Sequence, residues 1–204
     1  MELKFSKIEL HDLTKAWIAV SIAFAIALGG GIAVIAPNSN FLLSIVIAAL
    51  TVGTGFLLHE MGHKVVAQRY GCFAEFRADN FMLFLAVITS LFGFVFAAPG
   101  AVVIAGRVSR ERNGKISVAG PLVNIVLALG FLGVGIFVQD GFIGTLATFG
   151  ALVNSWLAVF NLIPIWILDG KKVLDWNKGV YALVMGLAIL LFFARMYLPL
   201  PALA

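Results

Sequence analysis

Apolar runs close to the length of a bilayer crossing recur along almost the whole chain: Trp17 to Ala36, Phe41 to Tyr70, Phe81 to Pro99, Ile116 to Val138, Phe142 to Leu168 and Val180 to Leu198. A helix rising about 1.5 Å per residue needs about 20 residues to cross the hydrocarbon layer, so five runs qualify and Phe81 to Pro99 is marginal. With 62% hydrophobic and 12% charged residues, the chain also lacks the charge that a soluble surface of this size requires. These features predict an all-α polytopic membrane protein with five to six transmembrane helices. No repeat, linker or low-complexity tract divides it, so residues 1–204 read as a single domain with its core at about residues 41–175.

The net charge of +4 lies near the ends of the apolar runs, where it encodes topology rather than nucleic-acid binding. Lys4, Lys7 and Lys15 precede the first run, and Arg69 and Arg77 follow the second. Arg107, Arg110, Arg112 and Lys115 precede the fourth, and Lys171, Lys172 and Lys178 separate the fifth and sixth. The connections "PNSN" (Pro37 to Asn40) and "QDG" (Gln139 to Gly141) carry no basic residue. If the basic side is cytoplasmic, the N-terminus is cytoplasmic, and the polar stretch "MELKFSKIELHDLTK" is not a cleaved signal peptide.

The same rule puts Arg77 and Arg107 on one side of the bilayer, so Phe81 to Pro99 cannot cross once between them. The expected structure is a re-entrant or β-hairpin membrane-associated segment. Gly93, Pro99 and Gly100 are its candidate bends, and the β-branched "AVVIAG" has strand character. A sixth span is the alternative. Later spans would then leave Arg195 near the outer surface.

Within the second run, "HEMGH" places His59, Glu60 and His63 in lipid-like sequence. Ionisable groups cost about 2.5 to 3.5 kcal/mol each at the centre of a span, so they require a compensating partner. On a helix His59 and His63 are about 40° apart in azimuth and can share one metal ion, while Glu60 can reach a water beside it. In HExxH sites the glutamate is the proton acceptor and the metal polarises the carbonyl under attack. Thr51 and Gly55 continue the histidine face and suit either water access or close helix packing.

A catalytic zinc site usually has three protein ligands. His11 lies in the polar N-terminal arm, Cys72 lies just beyond the motif helix, and Asp140 is on the opposite side of the membrane. Glu75, Asp79 and Glu111 sit among basic residues in surface connections. Asp175 belongs to an interfacial segment anchored by Trp176. Asp169 closes "NLIPIWILDG", where Pro164 interrupts a span and Gly170 permits a tight turn, so it is the favoured third ligand. Asn124 and Asn161 lie at the same depth. They could join helices or stabilise a substrate carbonyl or its oxyanion.

Together "HEMGH", "GPLVN" and "NLIPIWILDG", in this order across apolar spans, resemble the site-2 protease family of intramembrane zinc metalloproteases over about Thr51 to Asp175. The resemblance implies one catalytic zinc held by His59, His63 and Asp169, with Glu60 as general base and Asn124 and Asn161 stabilising substrate or transition state. It implies hydrolysis of peptide bonds within transmembrane segments of membrane-anchored proteins, with the active site on the cytoplasmic side. The partners expected are a transmembrane protein substrate and the lipid bilayer, with no nucleic acid. The spacing of the runs leaves no insertion of PDZ length, and neither a PDZ domain nor a cytoplasmic regulatory domain is expected. The region of about Phe73 to Gly106 then becomes the candidate for holding an unwound substrate by strand addition. Two other classes compete: a zinc-binding membrane transporter, disfavoured by an almost wholly apolar outer half, and a catalytically silent interaction protein, disfavoured because every proposed catalytic group is present. Spacing alone does not separate zinc from cobalt or manganese, and it carries no information on oligomeric state or substrate identity.

Overall fold

A computed structural model describes residues 3–31, 41–95, 99–165 and 167–194. Helix α1 (Lys7–Leu28) starts where the Ser6 hydroxyl accepts the Glu9 N–H at 3.1 Å, and this polar cap precedes ten residues that the sequence assigned to an extramembrane arm. The second run forms α2 (Phe41–Ala48), a π-helical turn (Ala49–Gly53) and α3 (Thr54–Arg69) in direct succession. In the π turn the Thr54 N–H donates to the Ala49 carbonyl, which also accepts the indole N–H of Trp17 at 3.2 Å. Gly53 faces Trp17 and Ser21 at a separation that leaves no room for a β-carbon.

Strand β1 (Phe73–Ala78), helix α4 (Asn80–Ser90) and strand β2 (Gly100–Ala105) occupy the region where a hairpin was expected. The strands pair antiparallel from Phe73 with Ala105 to Ala78 with Gly100, so the chain leaves and re-enters the sheet at adjacent points. Asp79 caps α4 by accepting the N–H groups of Phe81 and Met82, both at 3.0 Å. At 11 residues, α4 is far short of the about 20 needed for a crossing. The strand character of "AVVIAG" is present, and the described residues are helical with one two-stranded sheet.

Helices α5 (Arg110–Phe137), α6 (Gly141–Asn161), α7 (Asp169–Trp176) and α8 (Lys178–Ala194) complete the described chain. The run expected to continue from Phe142 to Leu168 stops being helical at Asn161, because Pro164 cannot donate to a continuing helix and constrains the residue before it. Among the described residues, four helices are long and apolar enough to cross a membrane: Lys7–Leu28, the continuous Phe41–Arg69, Arg110–Phe137 and Gly141–Asn161. Helix α8, at 17 residues, is apolar but shorter. The "PNSN" connection and Arg195 lie outside the described residues.

Helix α5 packs on α3, α6 and α7 and is the centre of the bundle. One core joins Leu13 and Val20 of α1 to Phe56 of α3, Phe76 of β1, Leu83 of α4 and Val153 of α6. A second joins Val118 and Ile125 of α5 to Leu162, Val173, Val184 and Leu191. Large apolar side chains such as Phe137, Leu183 and Leu190 project outward, as suits a lipid-facing surface. The basic ends of the helices gather at one end of the bundle, where Lys4 meets Gln68, Arg112 covers Tyr70 and Lys115 covers Trp176.

Candidate metal centre

Helix geometry brings the two imidazoles of α3 onto one face, with ring centroids 4.7 Å apart. Their Nε2 atoms are 3.0 Å apart, and Asp169 Oδ2 lies 3.4 Å from that of His59 and 3.0 Å from that of His63. The aspartate arrives from the first turn of α7, because the non-helical stretch after Asn161 folds the chain back on itself. There Gly170 approaches the Leu162 carbonyl so closely that a β-carbon would lie 2.0 Å from the oxygen. All three side chains are buried.

The hydrogen bonds at the opposite ring nitrogens fix the tautomer of each neutral ring. His63 Nδ1 lies 2.8 Å from the Ile116 carbonyl, which can only accept, so this nitrogen donates. His59 Nδ1 lies 2.6 Å from Asn124 Oδ1, while Asn124 Nδ2 donates to the Gly55 carbonyl at 3.2 Å and to Asn154 Oδ1 at 3.0 Å. The amide orientation thus makes Asn124 Oδ1 an acceptor and His59 Nδ1 a donor. In the neutral rings both Nε2 lone pairs then point at each other and at a carboxylate oxygen, an arrangement that is repulsive without a cation between them.

The separations fit that cation. Four ligands at about 2.0 to 2.1 Å from a tetrahedral zinc lie about 3.3 Å apart, against the 3.0 to 3.4 Å found here. Space has also been kept clear on the facing helix. A β-carbon on Gly120 would stand 2.4 Å from His63 Nε2 and 2.6 Å from His59 Nε2. Among the described residues, His59, His63 and Asp169 are the grouping of His, Cys, Asp and Glu side chains able to hold a metal ion.

Glu60 is buried beside the triad, and its Oε2 accepts the Val102 N–H from β2 at 3.0 Å. A cavity of about 160 Å³ opens here, bounded by the triad, Glu60, the Gly100, Val102 and Ile104 edge of β2, Asn161 and Lys172. The structure thus brings together His59, Glu60, His63 and Asp169. Asn161 lines the cavity and donates through Nδ2 to the Leu157 carbonyl of its own helix at 2.9 Å. Asn124 is wholly buried behind His59, with its amide engaged on both ends. Gly55 serves close packing, since a β-carbon there would meet Asn154 Oδ1 at 2.3 Å. Asp175 pairs with Lys171 at the surface.

Sequence reasoning did not single out Asn154, Gly120, Val102 or Lys172. Lys172 Nζ lies 3.5 Å from Asp169 Oδ1 and so faces the carboxylate oxygen turned away from the imidazoles. Gly120 had a local signal in its place in "GPLVN", four residues before Asn124, and Val102 belongs to the β-branched "AVVIAG"; the roles of Asn154 and Lys172 depend on tertiary approach.

No protein-family model matches the chain, and no solved structure matches it. Among curated proteins, a provisionally named zinc metalloprotease of Methanocaldococcus jannaschii, MJ0611, is 40% identical over 89% of this chain and 91% of its own length. The zinc metalloprotease MJ0392 of the same organism is 28% identical over 82% of this chain, which corresponds to 41% of that longer protein.

Proposed function

Since the chain belongs to the zinc metalloprotease family of which MJ0611 is a member, we propose that it is an intramembrane endopeptidase of the site-2 protease type. The observation that carries this reading is the convergence of His59 Nε2 and His63 Nε2, on the apolar helix Phe41–Arg69, with Asp169 Oδ2 from the first turn of α7, beside Glu60. These three atoms would hold one zinc ion. When bound, it would supply polarisation of a peptide carbonyl and acidification of a water molecule.

The remaining work falls to the chain's own residues. Glu60 takes a proton from the attacking water and passes it to the departing amide nitrogen. Asn124 holds His59 in the tautomer that leaves Nε2 free, and the Ile116 carbonyl does so for His63. The cavity edge of β2 holds the substrate in extended form, as strand addition supplies hydrogen bonds to a backbone that has lost its own helix. Phe76 and Val102 are opposite each other and direct their N–H groups outward, to Glu9 and Glu60, so the side of β2 away from β1 is the one that meets the cavity. Asn161 borders this space and is placed to meet a substrate carbonyl.

In this reading the substrate is a transmembrane segment of a membrane-anchored protein, weak as a helix near the cleaved bond. The segment between β1 and β2 re-enters on the side it left, α8 is a further crossing, and the basic end of the bundle with the N-terminus and cavity faces the cytoplasm. The whole chain acts as one domain. The test compares wild type and Glu60→Gln for zinc content and for cleavage of a helix-destabilised transmembrane reporter. Both should hold one equivalent of zinc, and the variant should lose about 100-fold or more in turnover. Normal turnover in the variant would refute the base assignment, and absence of metal from wild type would refute the site.

A further inference from the structure

The most deeply buried ion pair among the described residues joins Glu9 of α1 to Lys64 of α3, both 0% exposed, and the metal triad does not use it. Lys64 Nζ donates to Glu9 Oε2 and lies 4.1 Å from the centroid of the Phe5 ring. The other carboxylate oxygen, Glu9 Oε1, accepts the Phe76 N–H of β1 at 2.9 Å. Phe76 is paired with Val102 of β2, whose N–H donates to Glu60. Glu60 and Lys64 are one helical turn apart on α3. The sheet is consequently held to a single turn of α3 at both edges, directly by Glu60 at β2 and through Glu9 by Lys64 at β1.

Two neighbouring contacts flank this bond on the β1 edge. Asp12 Oδ2 accepts the Ala78 N–H at 3.3 Å, and Gln68 Nε2 donates to the Ala74 carbonyl at 3.2 Å. Stability is a weak reason for burying two charges, because an apolar pair of similar volume is often as stable or more so. The directional bond to Phe76 is what an apolar pair would not supply.

We propose that Glu9 is a positioning residue for the peptidase reaction, setting where the open β2 edge stands relative to Glu60. This rests on the reading of β2 as the substrate-docking strand. Glu9 itself touches neither the cavity nor the triad. Its removal should therefore loosen the docking of substrate while leaving the metal ligands in place.

The test uses the purified full chain. Glu9→Leu/Lys64→Met removes both charges and the acceptor for Phe76, Glu9→Gln/Lys64→Met removes the charges but keeps an acceptor, and Glu9→Asp keeps the charge but withdraws the acceptor. The Leu/Met double variant should keep one zinc, raise KM for the transmembrane reporter about tenfold and keep kcat within about threefold. Its Phe76 and Val102 amides should exchange with solvent about tenfold faster. The Gln/Met variant should restore KM and exchange, and Glu9→Asp should reproduce the loosening if the Leu/Met chain does not fold. Unchanged KM and exchange in Leu/Met, or in Glu9→Asp where Leu/Met does not fold, would overturn the proposal, as would failure of Gln/Met to restore them. Zinc content and amide exchange require no cleavage, so a chain without peptidase activity would overturn the proposed function yet still report whether Glu9 places the sheet.

Discussion

Replacing Gly120 with alanine adds one methyl group at the point where α5 faces the imidazoles. Alanine is favoured over glycine in a helix by about 0.8 to 1.0 kcal/mol, so α5 itself has no local reason to fail. The methyl would begin 2.4 Å from His63 Nε2 and 2.6 Å from His59 Nε2. To regain ordinary contact near 3.5 Å, each ring would have to withdraw by about 1 Å. Metal-ligand distances hold within about 0.2 Å, and the rings cannot withdraw without stretching the Nδ1 bonds to Asn124 and Ile116. Loss of an outer-shell partner alone costs about 10- to 100-fold in metal affinity, so displacing two ligands should cost at least about 100-fold, or about 2.8 kcal/mol. Titration of zinc against a competing chelator measures this, with circular dichroism as the check on folding. Gly130→Ala on the same helix is the control, because a β-carbon there meets nothing within 4 Å. A Gly120→Ala protein with native helicity and zinc affinity within about threefold of wild type would refute the reasoning.

The same geometry sets three more outcomes. Asn124→Leu removes the acceptor for His59 Nδ1 and should weaken zinc by about 10- to 100-fold in the same titration, with Asn154 left to rearrange. Asp169→Ala should abolish stoichiometric zinc measured by mass spectrometry. Asp175→Ala, which loses only an exposed pair with Lys171, should keep the metal and shift stability by no more than about 1 kcal/mol in thermal unfolding.

The meeting of His59, His63 and Asp169 could be anticipated because helix periodicity handles residues four apart, and Pro164 with Gly170 marks where the chain can turn back. Local chemistry also marked the strand in "AVVIAG" through its β-branched residues. The short α4 between the strands was harder to read, since an apolar run does not declare whether it crosses or stops. Glu9 and Lys64 are 55 positions apart; Glu9 looks like an ordinary charge before the first apolar run, and Lys64 lies inside the second with nothing local to name its partner. Their burial arises only when α1 lies along α3 and β1. Asn124 was read as a helix joiner or a substrate contact, and its tie to His59 spans 65 positions with no periodic signal.

The π turn at Ala49–Gly53 gives His59 an angular origin in a distant part of the chain. Each residue turns an α-helix by about 100°, so the extra residue that a π turn accommodates rotates everything after it relative to the face of α2 against α1. Trp17 holds the carbonyl at this point, and Gly53 sits against Trp17 and Ser21. A chain shortened by one residue here would make a more regular helix and aim its imidazoles away from Asp169. In this helix regularity and correct aim are opposed, so its length at the π turn is as much a part of the site as the side chains it presents.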